Sequence, residues 1–209
     1  MKIAPLSAAW VLCAALALCT TPAPAQVYAP PAVRPFDHPS PPVMTAPRPR
    51  MVAGCPGEDQ GFARAAEYLI DQRIDAARAE FVPAAPPLAP NLDLIGIARG
   101  RSCEMAVGQQ AFSHDDAQGN FIAASRVRDH FGPYGAIGEN IMEMGGSRGF
   151  GAEEFAEQAA DGWMKSPGHR ANILNPRYSE SGIGVALVGD QAYATQVFFG
   201  PPKPHNRAP

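Results

Sequence analysis

Apolar residues recur at three- and four-residue intervals in four stretches of the chain, and this spacing predicts four amphipathic helices. The first helix begins after Asp59, whose carboxylate can accept hydrogen bonds from the free amides of a helix start, and ends before Pro83. The other three are predicted at 92–110, 120–131 and 153–164. The first and fourth helices have these predicted buried faces: Phe62, Ala66, Leu69, Ile70, Ile74, Ala77 and Phe81 in the first, and Phe155, Ala156, Ala159 and Trp163 in the fourth.

The C-terminal part of the chain has a different pattern, rich in β-branched and aromatic residues. Two such runs, 183–188 and 193–199, are separated by Gly189 and Asp190, a pair typical of a hairpin turn. Residues 137–144 are also predicted to be extended. The sequence therefore predicts an α+β domain in which a small antiparallel sheet is flanked by helices.

Two short motifs place polar residues at defined points of these elements. Ser166 followed by Pro167 is typical of a helix start, with Ser166 at the N-cap, and this places His169 in the first helical turn. Gly138 precedes Glu139 on the predicted strand and permits another part of the protein to approach the backbone closely. Both motifs hold their polar side chains on regular structure rather than on free loops.

The composition is that of a globular protein with appendages. Of the 209 residues, 46% are hydrophobic and 18% are charged, which supports one buried core, and we assign it to a domain at 57–200. The net charge is −3 and no cluster of Lys and Arg is present, which argues against a nucleic-acid-binding protein. No apolar run reaches the roughly 20 residues of a membrane-spanning helix, so the mature chain is expected to have no transmembrane segment.

The first 25 residues have the features of a signal peptide. Lys2 supplies the positive charge, residues 8–19 form an apolar run, and small residues precede a cleavage position after Ala25. The alternative is a lipoprotein signal with the lipid on Cys19, which is disfavoured because Leu18 is too large for the position before such a cysteine. The protein is therefore expected to be exported, and to be secreted, periplasmic or located at the cell envelope.

The mature chain is expected to begin with a linker and to finish with a tail. Residues 26–56 contain nine prolines, which exclude a helix and disfavour strand pairing, so this segment is predicted to be an extended, disordered tether or a simple spacer. Residues 201–209 are predicted to be a disordered tail. His38 and His205 lie in these two segments and are not expected to be ligands.

Export changes how the four cysteines are interpreted. Cys13 and Cys19 leave with the signal peptide, so the mature chain keeps Cys55 and Cys103. In an oxidising compartment two cysteines have a single intramolecular pairing, and a disulfide between them is predicted. The alternative is two free thiols. We favour the disulfide because Cys55 lies just before the first helix, where the bond would attach the linker to the core.

Five motifs then follow one another in a specific order. They are Phe112-Ser113-His114, Gly138-Glu139-Asn140-Ile141, the run from Trp163 to Leu174 (Trp-Met-Lys-Ser-Pro-Gly-His-Arg-Ala-Asn-Ile-Leu), Ile183-Gly184-Val185, and Tyr193-Ala194-Thr195-Gln196-Val197-Phe198. Together they resemble the CAP superfamily of cysteine-rich secretory proteins, insect venom antigens and plant pathogenesis-related proteins, in the form of its bacterial SCP-like branch. The resemblance extends from Asp59 to Gly200.

The resemblance implies a three-layer α-β-α sandwich with a central cleft. In the family two histidines and two acidic residues line this cleft, and some members bind zinc or another divalent ion there. His114, Glu139 and His169 match three of these four positions, whereas Ser166 stands where the family has its second Glu, three residues after Trp163. A site for Zn²⁺ or another divalent cation, not obligatory, is therefore predicted, with water completing the coordination.

Other interpretations of these residues remain open at this point. His114 and His169 can instead bond to Glu139 as a structural polar cluster, and Glu143 or Asp115 could supply a further acid. No catalytic residue is assigned, although the two histidines and Glu139 are candidates. Further residues near the motifs have predicted structural roles: Asn140, Arg170 and Asn172 as local hydrogen-bonding or helix-start residues, Trp163 in the core, Ser166 as a cap and His130 as a solvated helix residue.

Three classes of function follow from this sequence. The first is a non-catalytic module that binds a lipid, a sterol-like molecule or another small ligand in its cleft, and the second is an envelope interaction protein. The third is a metal-dependent hydrolase or protease that uses the His114, Glu139 and His169 cleft. No activated nucleophile and no HExxH-type arrangement is present in the sequence, which favours a secreted binding module over an enzyme.

Overall fold

The computed structural model describes residues 54–132 and 135–202. The predicted signal peptide, most of the predicted linker and most of the predicted tail lie outside these ranges. The described elements, in chain order, are α1 (Gln60–Phe81), β1 (Ala89–Pro90), α2 (Leu92–Ala106), α3 (Ile122–Phe131), β2 (Ala136–Gly145), a 3₁₀ turn (Ser147–Gly149), α4 (Ala152–Lys165), α5 (Pro167–Ile173), β3 (Glu180–Val188) and β4 (Gln191–Gly200).

The four strands form one sheet in the order β1-β3-β4-β2. β4 pairs antiparallel with both β3 and β2, as the alternating pattern predicts. The predicted hairpin is confirmed: Val188 pairs with Gln191 across the turn, where Gly189 has the left-handed φ of 65°. The two-residue strand β1 pairs parallel with β3, so the sheet is mixed, whereas the sequence predicted a purely antiparallel one. A two-residue strand is too short to leave a periodic signal.

Helices cover both faces of the sheet, which confirms the predicted α+β class. On one face α1 and α4 pack over β3 and β4 around a core that includes Ile70, Phe155 and Trp163. On the other face α2 and α3 pack around Leu94 and Val197. The close approach of α2 depends on glycine, because a Cβ at Gly184 would collide with the backbone of α2.

The four predicted helices are all present, but some of them end at other residues, and one residue predicted to be buried is exposed. Asp59 is the N-cap of α1 and its carboxylate accepts a hydrogen bond from the Phe62 amide at 3.0 Å, as predicted. α2 ends at Ala106, four residues before the predicted end, and the chain then turns at Gly108 with a φ of 71°. The prediction that Phe81 is buried is wrong: it is 48% exposed at the last position of α1.

A disulfide joins Cys55 to Cys103, as predicted, with their Cα atoms 5.3 Å apart. The bond attaches the chain just before α1 to the C-terminal half of α2. Within the described ranges no helix has both the length and the apolar character needed to cross a membrane.

Candidate binding cleft

A cleft of about 430 Å³ opens where β2, α5 and the loop between α2 and α3 meet. Six of its ten lining residues have polar side chains, and apolar groups contribute the rest. The residues that line it are His114, Asp115, Phe121, Ile137, Gly138, Glu139, Ser166, Gly168, His169 and Asn172. The structure therefore brings His114, Glu139 and His169, which are distant in sequence, to one site.

Glu139 lies at the base of the cleft with its side chain fully shielded from solvent. Its Oε1 accepts a hydrogen bond from Arg101 Nε at 3.0 Å, and its Oε2 lies 2.9 Å from His114 Nδ1. Arg101 is equally buried and also donates to the Ser113 carbonyl at 2.6 Å. The carboxylate thus holds a buried cation on one side and orients an imidazole at the cleft on the other.

Two asparagines, Asn140 of β2 and Asn172 of α5, connect these two elements. Asn140 Nδ2 donates to the His169 carbonyl at 3.2 Å, and Asn172 Nδ2 donates to Asn140 Oδ1 at 3.0 Å and to the Glu139 carbonyl at 3.1 Å. Gly138 allows this packing, because a Cβ there would lie 2.5 Å from the Tyr178 hydroxyl. The structural roles predicted for Asn140 and Asn172 match these bonds, which fix His169 relative to Glu139.

The two histidines face each other across the cleft. Their ring centroids are 6.1 Å apart and the rings are steeply inclined. Burial, followed by the nearby His114, lowers the pKa of His169 below its ordinary value. His169 is therefore neutral at physiological pH and its ring offers one donor and one acceptor to the cleft.

The donor set does not fit a metal site with three protein ligands. Both oxygens of Glu139 are engaged, and the adjacent Arg101 guanidinium opposes a second cation at that carboxylate. Across the described residues, no group of three or more His, Cys, Asp or Glu side chains is placed to hold a metal ion. The imidazoles of His114 and His169 remain available at the cleft, beside the exposed carboxylate of Asp115.

Other residues singled out in the sequence have different surroundings. Asp115 is an exposed residue of the cleft lining, whereas Glu143 accepts a hydrogen bond from the Tyr193 hydroxyl at 2.8 Å on the outer surface and does not line the cleft. Ser166 occupies the N-cap position, but within the described residues its side chain makes no capping bond. His130 is an exposed residue of α3, as predicted, and its Nε2 lies 3.0 Å from Asp93 Oδ2.

Trp163 is 2% exposed and its Nε1 donates to the Ile141 carbonyl at 3.1 Å, which confirms its place in the core. The sequence analysis did not identify Arg101, the buried residue that donates a hydrogen bond to Glu139. Its only signal was its place one position before Ser102 on the inner side of α2, next to the buried Ala98 and Met105 positions.

The chain matches known proteins in this same region. The model of the cysteine-rich secretory protein family, named CAP, matches residues 84–199. The uncharacterized protein YkwD of Bacillus subtilis (strain 168) is 37% identical over 67 residues, which are 32% of this chain and 22% of YkwD.

Two solved structures share the fold. An extracellular protein containing a SCP domain from Bacillus anthracis str. Ames has 26% identity and a TM-score of 0.51, over 66% of this chain and 41% of that protein. An outer surface protein from Borrelia burgdorferi has 12% identity and a TM-score of 0.54, over 65% of this chain and 92% of that protein, and shows similarity of fold alone. The chain spans less than half the length of YkwD and of the Bacillus anthracis protein.

Proposed function

Because the chain belongs to the cysteine-rich secretory protein (CAP) family, in its bacterial form, we propose that it is an exported, non-catalytic module that binds a small polar ligand in its cleft. Export is supported by the apolar leader with its Ala23-Pro24-Ala25 cleavage motif. It is also supported by the Bacillus anthracis relative, which is described as an extracellular protein.

The proposal rests on the burial of Glu139 and on the two partners of its carboxylate. A carboxylate that acts as a general base must come within hydrogen-bonding distance of the proton that it accepts, so it must be accessible from the cleft. Both Glu139 oxygens are occupied, by Arg101 and by His114, and the side chain is fully buried. Glu139 thus acts on the cleft through His114, whose ring it orients, and not through contact with a substrate.

The lining of the cleft favours a polar ligand. Two imidazoles, the Asp115 carboxylate and the side-chain oxygen of Asn172 supply hydrogen-bonding groups, while Phe121 and Ile137 are the large apolar side chains in the lining. A lipid or sterol tail needs a predominantly apolar pocket. A saccharide of the cell envelope, or the polar head of a lipid, fits this chemistry better than an acyl chain.

A divalent ion is still part of this proposal, but with two protein ligands in place of the three that the sequence predicts. His114 and His169 would hold it, with water in the other positions, because neutral imidazole is the form that binds zinc. The lowered pKa of His169 keeps that ring available near neutral pH. Such an ion would bind weakly and would supply a positive charge that attracts an oxygen-rich ligand.

The second candidate function is a metal-dependent hydrolase, and Asp115 is the observation that favours it. Its carboxylate is exposed in the same cleft as the two histidines, so it is the residue that would activate a water. Ser166 also lines the cleft, but within the described part of the chain no hydrogen bond joins its hydroxyl to either histidine. A serine without such a base is a weak nucleophile.

The two functions are separated by one preparation of ¹⁵N-labelled mature protein. Chitotriose, a polar saccharide probe, should shift the amide signals of the cleft residues, and vesicles of phosphatidylglycerol test the lipid alternative. His169→Ala should abolish the shifts, while His130→Ala, outside the cleft lining, should leave them unchanged.

The same protein preparation tests the hydrolase: casein hydrolysis by the protein with added zinc should not exceed that by zinc alone. Hydrolysis that disappears in Asp115→Asn would establish the enzyme instead.

A further inference from the structure

A second cavity, of about 240 Å³, lies at the other edge of the sheet from the candidate cleft. The cleft borders β2, whereas this cavity borders β1 and β3, with α1 and α2 as its other walls. Its lining combines two cations, two carboxyl groups and apolar side chains. The lining residues are Arg64, Glu67, Tyr68, Asp71, Pro90, Ile95, Arg99, Ser181 and Ile183.

Glu67 fixes the two cations of this cavity. Its carboxylate accepts hydrogen bonds from Arg64 Nη1 at 2.6 Å and from Arg99 Nη2 at 2.7 Å, and also from the Val185 amide at 3.1 Å. Each guanidinium keeps a donor outside this arrangement: within the described residues, Arg64 Nε and Arg99 Nη1 make no hydrogen bond. Two held guanidiniums with remaining N–H groups are suited to a carboxylate.

Asp71 provides the opposite charge one helical turn after Glu67. Among the described residues nothing donates a hydrogen bond to its carboxyl group. Burial, and then the charge of Asp75 on the same helix, raise the pKa of Asp71 to about 7. A carboxylate that is poorly solvated and near another negative charge is stabilised by a cation, so an ammonium group is the partner that this position favours.

The rest of the cavity is apolar and small. Ile95, Ile183 and Pro90 form hydrocarbon walls, and the Tyr68 ring lies at the same site. The volume of about 240 Å³ is below the 300–1,000 Å³ range of pockets for drug-sized ligands. It suits a ligand the size of one amino acid with an aliphatic side chain.

We propose that this cavity binds a free α-amino acid with an apolar side chain. The ligand carboxylate lies toward Arg64 and Arg99, its ammonium group toward Asp71, and its side chain against Ile95 and Ile183. This site is independent of the cleft at the β2 edge and of the function proposed for it.

Calorimetric titration of the mature protein with L-leucine tests the site. L-leucinamide lacks the carboxylate and 4-methylpentanoate lacks the ammonium group, so each should bind at least about tenfold more weakly than leucine, the loss expected for one charged hydrogen-bonding group. Asp71→Asn should weaken leucine binding at least about tenfold without changing that of 4-methylpentanoate. Asp161→Asn, on the exposed side of α4, is the matched control and should change neither.

Three results would overturn the proposal: no heat of binding with leucine at millimolar concentrations, equal affinity for leucine and both analogues, or an unchanged leucine affinity in Asp71→Asn. The variant is expected to fold, because asparagine removes a poorly solvated charge from a half-buried position. A circular dichroism spectrum equal to that of the wild type checks this. Arg99→Gln gives a second variant, which should weaken leucine and 4-methylpentanoate alike.

Discussion

Arg101 of α2 and Glu139 of β2 form an ion pair at 3.0 Å in which neither side chain has any exposure to solvent. The pair joins the helix layer to the sheet directly beneath the candidate cleft, and Glu139 passes its orientation on to His114. A buried pair of this kind depends on both partners, because either charge alone is costly in the interior.

Arg101→Met should therefore lower the free energy of unfolding by about 3–5 kcal/mol, since it leaves the Glu139 charge buried without its cation. The double variant Arg101→Met/Glu139→Leu should recover much of that loss, because no unpaired charge remains. Urea denaturation measures both values. Lys165→Met, which removes an exposed pair with Asp161, is the control and should cost below about 1 kcal/mol. A similarly small cost for Arg101→Met would contradict the account.

Trp163→Ala should destabilise the domain by about 3–5 kcal/mol, because a large ring that is 2% exposed is removed from the core. Trp163→Phe keeps a six-membered aromatic ring and loses the bond to the Ile141 carbonyl and part of the buried ring volume, so its cost should be smaller than that of the alanine variant. Urea denaturation of the two variants gives the comparison. A cost for the alanine variant below about 1 kcal/mol, the range of surface substitutions, would mean that the ring is accessible and available as a ligand platform.

Gly184→Ala should destabilise the domain by about 1–3 kcal/mol or more, because the new methyl group meets the backbone of α2 at Ala98 and Arg99 and forces the helix away from the sheet. Gly162→Ala, on the exposed side of α4 where a Cβ meets nothing within 4 Å, should instead stabilise it by about 0.5–1 kcal/mol. Thermal denaturation distinguishes the two signs. Equal effects of both substitutions would show that α2 does not pack closely on β3.

Asp71 should make stability fall as the pH rises. Its pKa is raised from 3.8 to about 7, so the folded protein binds the proton more tightly than the unfolded chain does. The protonated carboxyl group therefore makes its full contribution to stability below about pH 4, and this contribution is lost as the pH rises to about 7. In the absence of ligand, Asp71→Asn should flatten this part of the stability profile and raise stability at pH 8 by about 1–2 kcal/mol, a value reduced for the solvent access of a half-buried group. Urea denaturation between pH 5 and 8 measures it, and parallel profiles would contradict it.

Much of the fold could be predicted because its information is local. The spacing of apolar residues located four helices, and the turn at Gly189 located the hairpin. Phe81 was placed on the wrong side because the last residue of a helix has no following turn to pack against, and its exposed ring instead lies 4.9 Å from the Arg170 guanidinium. Such a contact depends on an element distant in sequence and leaves no periodic signal.

The candidate site was predictable in its histidines and not in their supports. His114, Glu139 and His169 were identified by motif. Arg101 beneath the cleft, like Glu67 at the second cavity, is a buried charged residue on a helix, and periodicity assigns such residues to the solvent. Their burial is made possible by partners on other elements, the Glu139 carboxylate for Arg101 and the Val185 amide for Glu67. The ion pair between Glu139 and Arg101 can therefore be seen only in the folded structure.

Zinc titration by calorimetry at pH 7.5 tests the central claim, that the cleft acts through His114 and His169 while Glu139 is committed to Arg101. The account predicts weak zinc binding that is lost in His114→Ala and in His169→Ala, falls as the pH drops because protonated imidazole cannot bind a metal, and persists in Glu139→Gln. Circular dichroism confirms that each variant is folded. Loss of zinc binding in folded Glu139→Gln, or equal binding by both histidine variants and the wild type, would contradict it.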